Sequence, residues 1–551
     1  MTLPLNVETA LTSPIRQYLT KIEWLDWNEN IVGDYTLDVL DGNISVDVSR
    51  DERRTFSMTI YNASGLYIPN GARTNLGVKV RLKRGIQTAT GEVWWNKGIF
   101  VLTDPEMIDR GAEKTVSLQG VDKWALFNGD LGGTLTETTV IANGTNVAEA
   151  IMAVAKDGGE IKFAFDICTV TTPYTITKEP GTMRADLMKE LALIVSWELF
   201  YDIDGYLRFR PIIDPLQKQI IVDLSSTSIY HKNLVETTYR PEWSKIRNYW
   251  KVIGYSDSTT GITYDGTAQD NNPESPTNTA TSPAGIGIKA EVLTDDNLTT
   301  DDLCEQRAAY ELRQNLRKID RYTYSIIPLP FLQEGDCIQF DEGKMEIQAF
   351  SEPLGLGLMQ LECWKAVSIF ERVSYSTFDT GLDGWQQLQS GVIDVYGISG
   401  NNCMRKQTYD DPNGGYKLLD KKVTDFELVL YTRRDSGTGL NAYSITDSGG
   451  NGYGITLDYS GKLTIDKRAA WARSALKSTT VTPTLTNWYT LRLQKIGSNI
   501  TAEVYNGKVT KFVTPLASTA VNDSSYASFD RVAVNGGYVF FTDDVNVRKL
   551  L

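Results

Sequence analysis

Residues 182–211 read TMRADLMKELALIVSWELFYDIDGYLRFRP. Met183, Leu187, Leu191 and Ile194 recur at helical spacing, Thr182 stands where a side-chain oxygen can cap a first turn, and Asp186 lies near the positive end of the helix dipole. The pattern predicts a helix from 182 to about 196. Residues 197–201 and 206–210 then read as two strands. Between them Asp202-Ile203-Asp204-Gly205 offers an Asp-Gly pair, which supplies the positive φ angles of a tight hairpin. Helix followed by hairpin is the local unit.

Around this unit the chain alternates. From residue 2 to about 126 short strands are separated by Gly, Asn and Pro turns; in residues 55–61 (TFSMTIY) Phe56, Met58 and Ile60 share one face, and Val78-Lys79-Val80-Arg81-Leu82 alternates again. Spacing of this kind predicts a small closed or nearly closed barrel. From 128 to 180 the character changes, and Val147, Ile151 and Val154 predict a short helix that joins the one at 182 in an α/β insertion. Residues 245–254 (KIRNYWKVIG) read as a strand, whereas 255–287 are rich in Ser, Thr, Asn, Pro and Gly, lack Lys and Arg, and predict an exposed loop. A second helix is predicted over 300–317, capped by Thr300 ahead of Asp301 and Asp302. Strands at 322–328, 336–340, 345–350 and 359–364 complete a second barrel, and Gly355-Leu356-Gly357-Leu358, followed by a strand pattern, reads as a hairpin and not as a phosphate loop. After a composition shift near Tyr375, seven or more alternating strands with Gly and Asn turns predict a β-sandwich.

Five short motifs then stand in an order that resembles the tail hub proteins of bacteriophages: Ile44-Ser45-Val46-Asp47-Val48-Ser49-Arg50, Thr59-Ile60-Tyr61-Asn62, Gly77-Val78-Lys79-Val80, Lys97-Gly98-Ile99-Phe100-Val101-Leu102 and Val116-Ser117-Leu118-Gln119-Gly120-Val121-Asp122. The helix, the D-x-D-G hairpin closing in R-x-R-P, the strand around Asn248 and Leu332-Gln333-Glu334-Gly335-Asp336-Cys337-Ile338 resemble the same family. From residue 378 the chain resembles concanavalin-like jelly rolls, through Asp425-Phe426-Glu427-Leu428, Gly452-Tyr453-Gly454-Ile455, Trp488-Tyr489-Thr490-Leu491-Arg492-Leu493 and Phe541-Thr542-Asp543-Asp544-Val545-Asn546-Val547. The resemblance implies a mainly β chain with an α/β insertion: two β-barrels of the phage tail hub type followed by a jelly-roll β-sandwich. The expected boundaries are 1–126 for the first barrel, 127–206 for the insertion, 207–254 and 321–368 for the second barrel, 255–320 for a second part of the insertion, 369–377 for a linker and 378–551 for the sandwich. It further implies a homotrimer forming a ring at the virion tail tip, assembled in the host cytoplasm. Its neighbours would be a distal tail or tail tube protein and a downstream tail fibre or receptor-binding protein, and its external ligand a host cell-wall glycan.

Composition narrows the chemistry. At 551 residues several domains are expected, and 41% hydrophobic with 23% charged residues excludes wholesale disorder. A net charge of −14 argues against a counterion-releasing grip on nucleic acid, and no run of 18 apolar residues suggests a membrane anchor or signal segment. Five scattered cysteines without a C-x-x-C pair indicate neither a disulfide framework nor a zinc site. With His231 the only histidine, and set in no nucleophile motif, Ser-His-Asp and Cys-His catalysis have no basis; a turn or surface role is expected for it.

Sugar-cleaving sandwiches need closely spaced carboxylates, but beyond Tyr375 the only glutamates are Glu427 and Glu503, in no such motif, so no enzyme is expected. A wall-hydrolysing tail enzyme is the competing class, and a hub without glycan affinity a third. For sugar binding Trp471 is the leading residue, a large ring among Lys467, Arg468 and Arg473 that interrupts the strand period; it could equally cover the edge of the core. Tyr453 and Trp488, at strand starts, read as core. Asp543 and Asp544 are candidates for a structural calcium, the one cofactor considered.

Overall fold

In the strand Arg54–Tyr61, Phe56, Met58 and Ile60 are buried while Ser57 and Tyr61 are exposed, the alternation that a half-buried strand requires. Its neighbours obey the same rule and build a 14-stranded sheet. The computed structural model describes residues 3–36, 39–62, 79–110, 113–216, 218–257, 261–272, 275–281, 283, 285–366, 370–398, 401–407, 413–437, 439–509, 512, 514–536 and 539–550. The chain divides into two units, one of Met1–Thr267 with Ala290–Val367 and one of Ala268–Lys289 with Ser368–Leu551.

In the first unit the sheet runs Leu234–Tyr239, Arg321–Ile326, Met359–Lys365, Gly343–Pro353, Val39–Asp47, Arg54–Tyr61, Glu113–Asp122, Gly91–Leu102, Lys79–Thr88, Tyr18–Leu25, Ile31–Thr36. Two barrels are expected from the sequence; here the strands of both share one ladder. The seam is the antiparallel pair from Ala349 opposite Asp47 to Pro353 opposite Asn43. The core is shared too, since Ile22, Phe56, Phe100 and Leu118 cluster with Tyr324, Phe340, Ile347 and Leu361. A curl makes this possible: Glu352, on Gly343–Pro353, reaches Arg84 and Lys97 on two strands that are not its neighbours in the sheet. A helix that the sequence reading did not include, α1 (Leu5–Thr12), buries Val7 and Leu11 against the same core.

The insertion holds α2 (Val147–Asp157) and α3 (Arg184–Ile194). Asn146 caps α2, its Oδ1 accepting from the backbone N–H of Ala148 at 2.9 Å and of Glu149 at 3.2 Å. At α3 the expected cap is absent: Thr182 belongs to a turn in which its hydroxyl donates to the Glu179 carbonyl at 2.9 Å, and the helix begins after Met183. The hairpin forms as read, with Gly205 at φ 78, but its second strand, Leu207–Arg210, does not enter a barrel. Phe163–Phe165 pairs parallel to it and keeps it in the insertion, so the second strand group begins at Ile220–Asp223 and not at 207.

The second insertion is likewise larger than its sequence suggests. Tyr249–Asp257, expected in the barrel, lies in a separate three-stranded sheet with Ile262–Gln269 and Ala290–Thr294, beside α4 (Asp301–Leu316). Thr300 caps α4 as expected, accepting from Leu303 N–H at 3.2 Å. Ile262–Gln269 is a strand within the stretch read as loop: Gly266 packs against the α4 backbone, where a Cβ would lie 2.2 Å from the Glu305 nitrogen. Close backbone packing thus takes the place of apolar side chains.

The second unit is a two-sheet sandwich. One sheet runs Ile393–Ile398, Asn401–Lys406, Phe540–Leu550, Phe426–Arg433, Trp488–Ile496, Asn499–Asn506, Ala517–Asn522. The other runs Gln386–Leu388, Gly414–Val423, Phe529–Asn535, Leu440–Thr446, Gly452–Asp458, Lys462–Ala469, Ala472–Thr480. Leu428, Leu430, Tyr443, Tyr453, Ile455, Ile465 and Leu491 meet between them. The stretch read as a linker is a strand, Phe370–Ser376, paired antiparallel with the last strand from Phe370 opposite Leu550 to Ser376 opposite Val545. Its Val373 is core, which is why it folds with the sandwich; residues 367–369 lie outside the described residues.

Candidate functional site

Trp471 sits with Ala470 in the two-residue turn joining Lys462–Ala469 to Ala472–Thr480. Both turn residues have positive φ, 47 and 71, the geometry of the twisted hairpin turn. The indole is half-buried, and one side of it lies on Gly450, where a Cβ would meet three ring atoms at 2.5 Å. Two hydrogen bonds hold the neighbouring turn to it, Trp471 N–H donating to the Gly450 carbonyl at 3.0 Å and Ala470 N–H to the Asn451 side-chain Oδ1 at 3.0 Å. Of the two roles open to it, the covering one accounts for the buried side of the ring.

The three cations expected around Trp471 do not converge on it. Lys467 and Arg468 are consecutive in a strand, so their side chains leave opposite faces of the sheet. Lys467 binds Asp523 at 3.1 Å and also donates to Ser525. Burial pushes the Asp523 carboxyl up, but the hydrogen bonds from Tyr453, Ser525 and Lys467 outweigh it and hold the group well below the usual range. Arg468 is fully buried and donates to the Trp471 carbonyl at 3.2 Å, which removes it from any surface site. Arg473 reaches the buried Asp466 carboxylate at 3.4 Å. As a set, the expected site is corrected to a turn residue and three separately engaged cations.

Asp543 and Asp544 occupy a different setting. The last strand is flanked on one side by Asn401–Lys406, which ends opposite Thr542 at its Met404, and by Phe370–Ser376, which begins opposite Val545. Residues 543 and 544 fall in the gap between those two partners. Asp544 takes φ 46, and on the other side the register with Phe426–Arg433 shifts between Val429 and Tyr431. A hollow of about 630 Å³ opens at this gap, lined by Tyr375, Thr377, Asp379, Ile398, Arg433, Trp488, Lys508, Asp543 and Asp544. Lys508 pairs with Asp543 and lies 4.4 Å from the Trp488 ring centre. Tyr375 donates its phenol to Asp544 at 3.2 Å. Burial, then the Asp543 charge, push the Asp544 carboxyl up; burial and Asp544 push the Tyr375 phenol up to about 12. The carboxylate of Asp543 is thus closed by a cation, and among the described residues no group of three or more His, Cys, Asp or Glu is arranged to hold a metal ion.

Trp488, expected in the core, is half-buried at this hollow, while Tyr453 is core. The lining residues span 375 to 544, which is why no local motif announces them. The two glutamates are tied up elsewhere: Glu427 accepts from Arg492 at 2.7 Å and Arg548 at 2.9 Å, and Glu503 from Arg492 at 3.0 Å and Tyr505 at 2.8 Å. His231 lies in a short turn, its Nδ1 3.1 Å from the Leu224 carbonyl. No helix among the described residues is long and apolar enough to cross a membrane.

No family model matches the chain. An uncharacterized protein of Methanocaldococcus jannaschii is 32% identical over 193 residues, covering 32% of this chain and 19% of that protein, so the chain spans less than a fifth of the relative's length. Among solved structures, the tail protein from Neisseria meningitidis MC58 is similar over 63% of this chain and 96% of its own, at 12% identity and a TM-score of 0.46. The Francisella PdpA-VgrG complex in its lidded form covers 93% of this chain and 82% of its own, at 10% identity and a TM-score of 0.40. The CBM2 module of the evolved Dit of Lactobacillus casei BL23 phage J-1 covers 33% of this chain and 97% of its own, at 11% identity and a TM-score of 0.26.

Proposed function

We propose that this chain is a structural hub of a bacteriophage tail tip or baseplate, assembled as a trimeric ring under the tail tube in the host cytoplasm, whose sandwich contributes to attachment to host cell-surface glycan. The observation that carries the reading is the seam at Gly343–Pro353 and Val39–Asp47. It joins two successive strand groups, the first separated from the second by one α/β insertion and the second interrupted by another, into one sheet, as expected of a subunit with two similar β halves. Three such subunits present six halves around one axis, which suits a ring that meets a sixfold tube. The described residues of the hub motifs fall on this sheet or at the ends of its strands, in Val39–Asp47, Arg54–Tyr61, Lys79–Thr88, Gly91–Leu102 and Glu113–Asp122, and Gly77 and Val78 lie outside the described residues. The reading takes the role to be non-catalytic, and what supports it is that Glu427 and Glu503 share Arg492 as a counter-ion.

Mass measurement and negative-stain imaging of the full chain test the assembly. A trimer with a central channel is the expected result, and a dimer with twofold symmetry sinks the reading. Release of reducing sugar from bacterial walls would overturn the non-catalytic assignment.

A further inference from the structure

We propose that the hollow at Asp543 and Asp544 is the glycan site of the sandwich, and that it takes a neutral, polyhydroxylated sugar ring. The inference rests on the reading that the sandwich meets a host glycan, and it moves the contact away from Trp471.

Three features of the place carry it. The ladder is interrupted on one side at residues 543 and 544, so two carboxylates stand where a strand neighbour would otherwise lie. Phe378 and Asp544 both hold left-handed backbone, φ 63 and 46, and Thr377 and Asp379, on either side of Phe378, both line the hollow. The lining mixes the groups a sugar uses: the carboxylates of Asp379 and Asp544 as acceptors, the guanidinium of Arg433, whose Nε is held by Asp435, as donor, the Thr377 hydroxyl as either, and the Tyr375 and Trp488 rings as apolar walls, with the Asp543–Lys508 pair closing the floor. The Asp379 carboxylate is exposed and has no hydrogen bond or ion pair among the described residues. It is the acceptor ready for a pair of vicinal hydroxyls. With three carboxylates against two cations, the lining does not favour an anionic wall polymer. A volume of about 630 Å³ accommodates one or two sugar rings.

Saturation-transfer NMR on the full chain with glucose, galactose, fructose and N-acetylglucosamine, followed by titration with the best of them, tests the proposal. The parent protein binds at least one of these sugars, and polyglycerol phosphate does not displace it. Asp379→Ala and Asp544→Asn each weaken binding by about tenfold or more, since each removes a charged acceptor. Asp379 is exposed, and Asn tolerates the left-handed backbone at 544, so thermal unfolding stays as in the parent. Trp471→Ala leaves the affinity unchanged. Sugar binding that survives both Asp variants, or that is lost only in Trp471→Ala, overturns the pocket while leaving glycan attachment standing. No binding of any of the sugars by the parent overturns the attachment reading and the pocket with it.

Discussion

At Gly450 the absence of a side chain is what lets the Trp471 indole lie flat on the neighbouring turn, and its φ of 77 is a second demand that only glycine meets without strain. Gly450→Ala is therefore expected to cost about 1–2 kcal/mol from the left-handed backbone alone. Displacement of the ring adds to that, and urea unfolding measures the total. Asp122 makes a different kind of demand. Its Oδ1 accepts from Trp124 N–H at 3.0 Å and its Oδ2 from Arg54 N–H at 3.1 Å, yet burial pushes its carboxyl up to about 7. An unfolded Asp titrates near 4. Between about pH 4 and 7 the unfolded chain has released a proton that the folded chain keeps. The contribution of Asp122 to stability is thus full below about pH 4 and lost as pH rises through about 7. Asp336, pushed up to about 6 by burial, acts in the same direction. Asp122→Asn should flatten part of this slope, seen as a smaller difference between urea midpoints at pH 5 and pH 8 than in the parent; an unchanged difference would remove Asp122 from the account. Asp543, already closed by Lys508, leads to a simpler expectation. Chelation by EDTA should leave the melting temperature unaltered, and a drop would reinstate a structural calcium.

Among the elements, the strand Gly343–Pro353 has the most to hold, since it forms the seam and carries the buried Glu352 between Arg84 Nε at 3.3 Å and Lys97 Nζ at 2.7 Å. Glu352→Ala leaves two buried cations uncompensated, a loss of about 3–5 kcal/mol, whereas changing all three residues to Met should cost far less. Comparing the two variants by guanidinium unfolding checks this, and equal losses would mean that the ion pairs are incidental to the curl. Strands whose apolar period is their own signature, such as Phe56, Met58 and Ile60, were legible in the sequence, as was the cap Thr300. Strands that lean on a distant partner were not. Ile262–Gln269 is held by Gly266 against a helix backbone, and Phe370–Ser376 finds its pairing at the far end of the chain, beyond the reach of any local period. The same holds for the hollow. Trp471 was conspicuous because its polar neighbours are adjacent in sequence, but strand alternation sends those neighbours to opposite faces, while the lining from Tyr375 to Asp544 is gathered only by the fold.

For the whole molecule, the sandwich core lies wholly within residues 370–551, which predicts that this fragment unfolds cooperatively when expressed alone. Residues 377–551 should melt lower, because they lack the buried Val373 and leave the last strand with one flank open from 545 to 550. Equal stability of the two fragments would return 370–376 to the status of a tether. The orientation of that strand also has a mechanical meaning. On the proposed reading, a bound sugar would load the last strand at Asp544 while the chain is held at Phe370, so the tension crosses from one strand to the other along their shared axis. The hydrogen bonds to the last strand lie across that axis, so they are strained together in shear rather than opened one at a time, as they would be if Phe370 and the facing Leu550 were drawn apart. Single-molecule pulling should find the sandwich tougher between residues 370 and 544 than between 370 and 550, an anchorage whose strength is set by direction more than by the number of bonds.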